Sequence, residues 1–364
     1  MIKKITINDK ILSETSPPFI IAEAGVNYYD IAKKENIELI DAAELMVEES
    51  ANAGADAIKF QTYKAEKIVS KHSPAYWNTE KESTKSQYEL FKKYDKFGEE
   101  EYRALARYAE KENIIFMSTP FDEDAVDFLV ELMPVFKISS SDITNLPFIK
   151  YIAKRSKPIF LSTGASTVGE IERAVNTIEK EKNYQIVIMH CVLSYPTRYE
   201  DANLNMIKHL SNVFPEYLVG YSDHTEPDSN MLVLTAAVLS GAHVIEKHFT
   251  LDKSLPGNDH YHAMDPQDLK NFIGNVALLK KILGRERKEP IESEELARKY
   301  ARRSIVAKID IPKGSGINAE MLTCKRPGTG IGPEFLEMLV GKYVKRTIKE
   351  DELLKLEDLA GSQI

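Results

Sequence analysis

Eight stretches of this chain are apolar for several residues in a row, and each turns polar at its C-terminal end: residues 19–27, 56–63, 114–120, 135–142, 158–164, 186–191, 217–224 and 243–249. Continuous rather than alternating hydrophobicity marks strands buried on both faces, which is the habit of parallel sheets. Segments with helical patterning lie between them, among them 36–53, stopped by Gly54, and 228–241, which ends on Gly241. Eight such units over about 270 residues predict a closed (β/α)8 TIM barrel rather than an open doubly wound sheet. No Gly-rich dinucleotide turn follows the first strand, which lowers the open-sheet alternative further.

The expected barrel occupies residues 1–284. A charged, proline-ended linker follows over 285–300, and residues 301–364 form a small β-rich domain. Within that domain Ile309-Asp310-Ile311-Pro312-Lys313 is partly repeated as Arg346-Thr347-Ile348-Lys349-Glu350 around a Gly-Pro-rich middle. A core of about 60 residues is marginal alone, so docking on a barrel is expected. Residues 64–98, polar and irregular, hold the only tryptophan, Trp77. A connection of that length is read as a lid or an inserted short helix.

Composition removes several function classes. A net charge of -8 and a pI near 5.7 argue against nucleic acid as a partner, because phosphate-backbone binding needs an extended basic surface. The longest apolar run, 231–241, falls well short of the roughly 20 residues that span a bilayer. Two cysteines, Cys191 and Cys324, fit a reducing cytoplasm and offer no disulfide framework.

In a TIM barrel the C-terminal strand ends build the site. Here they carry Glu23, Lys59 with Gln61, Thr119, Lys137 with Ser140 and Asp142, Thr163, His190, His224, and Glu246 with His248. Residues two apart on a strand share a face, so Ser222 goes with His224 and Glu246 with His248. Two imidazoles beside a carboxylate suit a divalent metal; hydrogen-bonded core histidines are the plainer alternative. Lys59 and Lys137 sit in apolar company, and a lysine is almost never buried without an anion. That anion is either a ligand, with Thr119, Ser140 and Ser222 completing a phosphate cradle, or a protein carboxylate, Glu23 or Asp142. A Schiff-base lysine is a third reading, less attractive beside a metal able to polarise a carbonyl. The loop 255–265 adds Asp259, suited to a substrate hydroxyl, and His260 and His262, read more readily as solvated than as ligands. Tyr195 offers a phenol after the sixth strand.

Taken together, Ile21-Ala22-Glu23-Ala24-Gly25-Val26-Asn27, Lys59-Phe60-Gln61-Thr62, Ser118-Thr119-Pro120-Phe121, Lys137-Ile138-Ser139-Ser140, Ser162-Thr163-Gly164, His190-Cys191 with Tyr195-Pro196-Thr197, Ser222-Asp223-His224-Thr225 and Glu246-Lys247-His248-Phe249-Thr250 resemble the sialic acid synthases in order and spacing. Ala301-Arg302-Arg303-Ser304 and Lys325-Arg326-Pro327-Gly328 resemble that family's antifreeze-like (SAF) domain. The resemblance implies condensation of phosphoenolpyruvate with an N-acylated mannosamine-type sugar to a nine-carbon keto acid. It implies that His224 and His248 bind Mn2+, with Mg2+ or Co2+ as alternatives, and that Lys59, Thr119, Lys137, Ser140 and Ser222 hold phosphoenolpyruvate. Gln61, Asp142, Tyr195 and Asp259 would face the sugar, with Glu23 and His248 as catalytic residues. Arg326 would reach the site of the other subunit in a domain-swapped homodimer.

Two departures from the family pattern bear on the sugar. Leu193 stands where a polar residue, commonly asparagine, is expected, and His260-Tyr261-His262 stands where smaller residues around a serine are expected. They leave N-acetylmannosamine and the diacetamido-trideoxy sugars of legionaminate and pseudaminate synthases both open, while Trp77 favours the less polar sugar. A non-catalytic carbohydrate-binding protein is the remaining alternative, against which stands a complete set of histidines, lysines and glutamate.

Overall fold

The structure, a computed structural model, describes residues 3–77, 82–257 and 259–360. It divides into two compact units, Met1–Leu283 and Gly284–Ile364.

The first unit opens with an antiparallel hairpin, β1 (Lys4–Ile7) and β2 (Lys10–Ser13). Eight parallel strands follow: β3 (Phe19–Gly25), β4 (Ala57–Thr62), β5 (Ile115–Pro120), β6 (Phe136–Ile138), β7 (Ile159–Ser162), β8 (Ile186–Cys191), β9 (Leu218–Asp223) and β10 (Val244–His248). Their order, β5-β4-β3-β10-β9-β8-β7-β6, is that of a (β/α)8 barrel. β5 and β6 meet at the seam, without a hydrogen-bonded ladder among the described residues.

Strand alternation sorts the side chains into two layers. Phe19, Ile21, Ala57, Met117, Val135, Phe160, Val187, Met189, Leu218 and Val244 form the barrel interior, and Ile5, Ile7 and Leu12 of the hairpin join the same cluster. The hairpin therefore plugs the N-terminal end. The other face of the strands, including Ile20, Ala22, Ile58, Phe60, Ile138, Leu161, Val219 and Ile245, packs on the helices. Gly220 is required inside the barrel, because a Cβ there would lie 2.8 Å from the Val244 carbonyl oxygen and still closer to Met189.

Local chemistry sets the helix ends. The helix Leu39–Ala53 stops at Gly54, whose φ of 96° is left-handed, and Val168–Lys180 starts on a capping box of Thr167 and Glu170. The helix expected over 228–241 is confined to Leu232–Leu239. Asp228 turns the chain ahead of it by accepting from the N–H groups of Asn230 and Leu232. A helix the sequence reading missed, Tyr28–Glu35, follows β3 and ends at Asn36 in the left-handed conformation. Among its described residues, the long stretch after β4 holds two short helices, Ala65–Ile68 and Gln87–Lys93. No helix among the described residues is long and apolar enough to cross a membrane.

The second unit contains the helix Glu295–Tyr300 and four short strands, β11 (Ser304–Ala307), β12 (Leu322–Lys325), β13 (Tyr343–Val344) and β14 (Leu359–Ala360). Ile305, Ile311, Ile317, Leu339, Ile348 and Leu354 give it a core of its own. Ile311 and Ile348, equivalent positions of the sequence repeat, pair antiparallel through reciprocal N–H to C=O bonds of 2.8 and 2.9 Å.

Candidate active site

Towards the C-terminal end of the strands the inward positions change from apolar to charged. β3 contributes Glu23, β4 Lys59, β6 Lys137, β9 Ser222 and β10 Glu246, and all five are buried. Lys59 Nζ lies 2.5 Å from Glu23 Oε2 and 3.8 Å from Glu246 Oε2, and it donates to Thr119 Oγ1 at 2.9 Å. Lys137 Nζ and Ser222 Oγ both donate to Glu246 Oε1, at 2.9 and 3.0 Å. Each buried ammonium group thus has a buried carboxyl partner.

The two carboxylates differ in protonation. Burial raises the Glu23 carboxyl to about 7 against the pull of Lys59. Burial also penalises the Glu246 anion, but Lys137 and Lys59 outweigh it and hold that carboxyl at about 2. For Lys59, burial works against the charge, and Glu23 with Glu246 overcomes it, raising its pKa. Ser140 sits beside this layer, its Oγ accepting the Gly164 N–H at 2.9 Å.

Two residues further along the chain from Ser222 and Glu246 lies a layer of imidazoles. The rings of His224 and His248 are 5.5 Å apart between centroids, and a third ring, His262, lies 4.9 Å from His248 and 6.1 Å from His224. Tyr195 covers His224 at 4.1 Å. His224 Nδ1 donates to the Val192 carbonyl at 2.8 Å, which fixes the tautomer and leaves Nε2 with its lone pair. Burial lowers the His224 pKa to about 4 and drives those of His248 and His262 well down, so all three rings are neutral near pH 7. Donor atoms of His248, Asp259 and His262 lie within 4.8 Å of one another, a set that fits a divalent cation.

The imidazole layer opens into a cavity of about 570 Å³ lined by Gln61, Asp142, Tyr195, His248 and Asp259, with Trp77 and Leu193 among its apolar wall. The structure therefore brings the five barrel residues assigned to phosphoenolpyruvate beneath or beside those assigned to the sugar. Arg326 belongs to the second unit, where it is exposed immediately after β12.

Several readings of the sequence need correction. The partner of Lys137 is Glu246 rather than Glu23 or Asp142. His190 does not join the strand-end constellation: it donates to the Ala202 carbonyl at 2.8 Å and stacks on Tyr221, between barrel and helices. A one-residue difference in phase puts Cys191, not His190, on the inner face. His260 and His262 are not solvated loop residues, being 1% and 0% exposed. His260 is held between Thr250 Oγ1 at 2.7 Å and Asp30 at 3.5 Å. Sequence reasoning also passed over Ser162, whose buried hydroxyl has no partner among the described residues; its place at a strand end was the available signal.

Known proteins match along the whole chain. An uncharacterised protein of Methanocaldococcus jannaschii is 42% identical over 360 residues, covering 99% of each chain. The N,N'-diacetyllegionaminic acid synthase of Legionella pneumophila is 39% identical over 348 residues, covering 94% of each. The crystal structure of the N-acetylneuraminic acid (sialic acid) synthetase of Leptospira borgpetersenii, in complex with citrate, matches with a TM-score of 0.70 at 34% identity, covering 82% of this chain and 95% of that one. The SAF domain matches residues 302–360 and the NeuB family residues 46–288. The resemblance to sialic acid synthases is borne out, and the chain belongs to the NeuB family, with a SAF domain at its C-terminal end.

Proposed function

We propose that this protein condenses phosphoenolpyruvate with an N-acylated mannosamine-type sugar, giving a nonulosonic acid and inorganic phosphate. The observation that carries the reading is the pair of buried lysines, Lys59 and Lys137, paired with Glu23 and Glu246 beneath an imidazole cluster and a sugar-sized cavity. The two lysines, with Thr119, Ser140 and Ser222, hold the phosphate and carboxylate of phosphoenolpyruvate. His224 and His248 hold a divalent ion, Mn2+ with Mg2+ or Co2+ as alternatives, which when bound polarises the aldehyde of the open-chain sugar. Gln61, Asp142, Tyr195 and Asp259 orient that sugar, with Arg326 supplied by the second subunit of a domain-swapped homodimer in the cytoplasm.

The bond forms between the methylene carbon of phosphoenolpyruvate and the aldehyde carbon. Glu23, with its raised pKa, passes a proton to the aldehyde oxygen as it gains charge. Water adds to the adjacent cationic carbon, and the adduct collapses to the ketone with C–O cleavage. The lysines meet the charge of the departing phosphate. The Schiff-base alternative is disfavoured because a nucleophilic lysine needs a depressed pKa, whereas that of Lys59 is raised. Among acceptors, the wall of Trp77, Leu193, Val26, Ile68 and Phe91 favours a 2,4-diacetamido-2,4,6-trideoxyhexose, whose C6 methyl needs no hydrogen-bond partner.

The test is phosphate release from phosphoenolpyruvate with Mn2+, in parallel with N-acetylmannosamine, with the diacetamido-trideoxy sugar and with no sugar. Sugar-dependent release abolished by EDTA is expected, faster with the trideoxy sugar. Release that resists EDTA and traps with borohydride on Lys59 or Lys137 would replace this reading with the aldolase one. No release with either sugar would overturn it in favour of carbohydrate binding without catalysis.

A further inference from the structure

The side chain of His262 is completely buried, yet neither ring nitrogen has a hydrogen-bond partner among the described residues. A buried donor or acceptor is rarely left unpaired, so a group this deep and this unserved calls for a ligand. Its position is not that of a loose loop. The chain returning from β10 is pinned by Met264 N–H to the His248 carbonyl at 2.8 Å and by Thr250 N–H to the Met264 carbonyl at 3.0 Å. The neighbours of His262 are tied down as well: Tyr261 donates to the Tyr195 carbonyl at 3.0 Å, and His260 is bonded to Thr250. Between two anchored residues, His262 presents its ring to His248, whose Nδ1 is also buried without a hydrogen-bond partner.

We propose that His262 is a metal ligand, so that the centre of this chain is a three-imidazole site of His224, His248 and His262, completed by the Asp259 carboxylate. The inference rests on the divalent-metal part of the proposed function and goes beyond it, since that reading gives the ion to His224 and His248 alone. The donor set supports it: His248, Asp259 and His262 converge within 4.8 Å, and the Val192 carbonyl holds His224 in the tautomer whose Nε2 can coordinate. Adding an imidazole to a site otherwise built of oxygen and two imidazoles shifts its preference towards Co2+ and Zn2+ and away from Mg2+.

The experiment titrates the full-length metal-free protein and its His262→Ala and His262→Phe variants with Co2+ and with Mg2+, following heat and the Co2+ absorption spectrum. Expected is a loss of Co2+ affinity of about tenfold or more in both variants, a smaller loss for Mg2+, and a changed Co2+ spectrum. Equal Co2+ affinity and an unchanged spectrum would overturn the proposal. A wild-type protein that binds neither ion would instead remove the metal reading on which it stands. If both variants fail to fold, proton NMR of the Co2+-loaded wild type decides by itself: three shifted imidazole N–H signals support the proposal and two refute it.

Discussion

Lys137 and Glu246 are the residues whose separate and joint removal says most about the site. Replacing Lys137 by Met leaves the Glu246 anion with Lys59, 3.8 Å away, as its nearest cation and the Ser222 hydroxyl as its donor, and breaking a buried pair from one side costs about 3–5 kcal/mol. Lys137→Met is therefore expected to lower the melting temperature and to raise the KM for phosphoenolpyruvate. The double variant with Glu246→Gln should recover most of the stability and none of the affinity. A double variant that recovers both would show that the lysine serves the fold alone. At this scale the need for an anion was legible from an apolar strand carrying a lysine. The identity of the partner was not, because strand stagger across the barrel, rather than spacing along the chain, brings β10 opposite β6. The orientation of His190 and Cys191 was lost for a related reason: in a strand buried on both faces, polarity does not reveal phase.

At the scale of elements, the ends of β9 and β10 are tied together behind the imidazoles. Lys247 Nζ lies 2.5 Å from Asp223 Oδ2 and also donates to the Thr225 carbonyl. Asp223 accepts from Tyr221 Oη, Thr225 Oγ1 and the Thr225 N–H as well. Burial alone would raise the Asp223 carboxyl, but Lys247 and these donors outweigh it and hold it below its ordinary range. A carboxyl lowered by folding contributes stability above its unfolded pKa of 3.8, and the contribution disappears as pH falls through the still lower folded value. Asp223→Asn in the metal-free protein is expected to cost about 3–5 kcal/mol at pH 7. Its deficit in melting temperature should narrow as both proteins are taken below about pH 4; a deficit constant with pH would rule out the charge as its origin. The strands themselves were legible because parallel β-structure is apolar throughout. The segment between β4 and Gly98 was legible only as room for a lid or an inserted short helix; where its short helices lie was not, since they are too short to show a period.

For the whole molecule, the chain's two units invite a test of the proposed exchange between subunits. Glu23→Gln and Arg326→Ala proteins, each inactive alone, are to be mixed one to one after dissociation and allowed to reassociate. If each site draws its barrel from one subunit and Arg326 from the other, half of the dimers carry one intact site, and about one quarter of wild-type activity should return. No recovery would place both residues in the same subunit's site or Arg326 outside it. The division into two units was readable from the change in pattern after the last barrel helix, and the internal repeat from its spacing. That its two Ile residues meet as a pair was not, because a repeat shows likeness and not contact. The apolar floor of the barrel, its packed interior closed off by the hairpin, bears on the kinetics of the proposed reaction. A well sealed at one end fills from the bottom, so whatever occupies the lysine layer must arrive before the sugar and cannot exchange while the sugar is in place. On the proposed function, binding is expected to be compulsory in order, phosphoenolpyruvate first, with an excess of sugar acting as a stopper; initial rates that show no inhibition at high sugar concentration would rule this out.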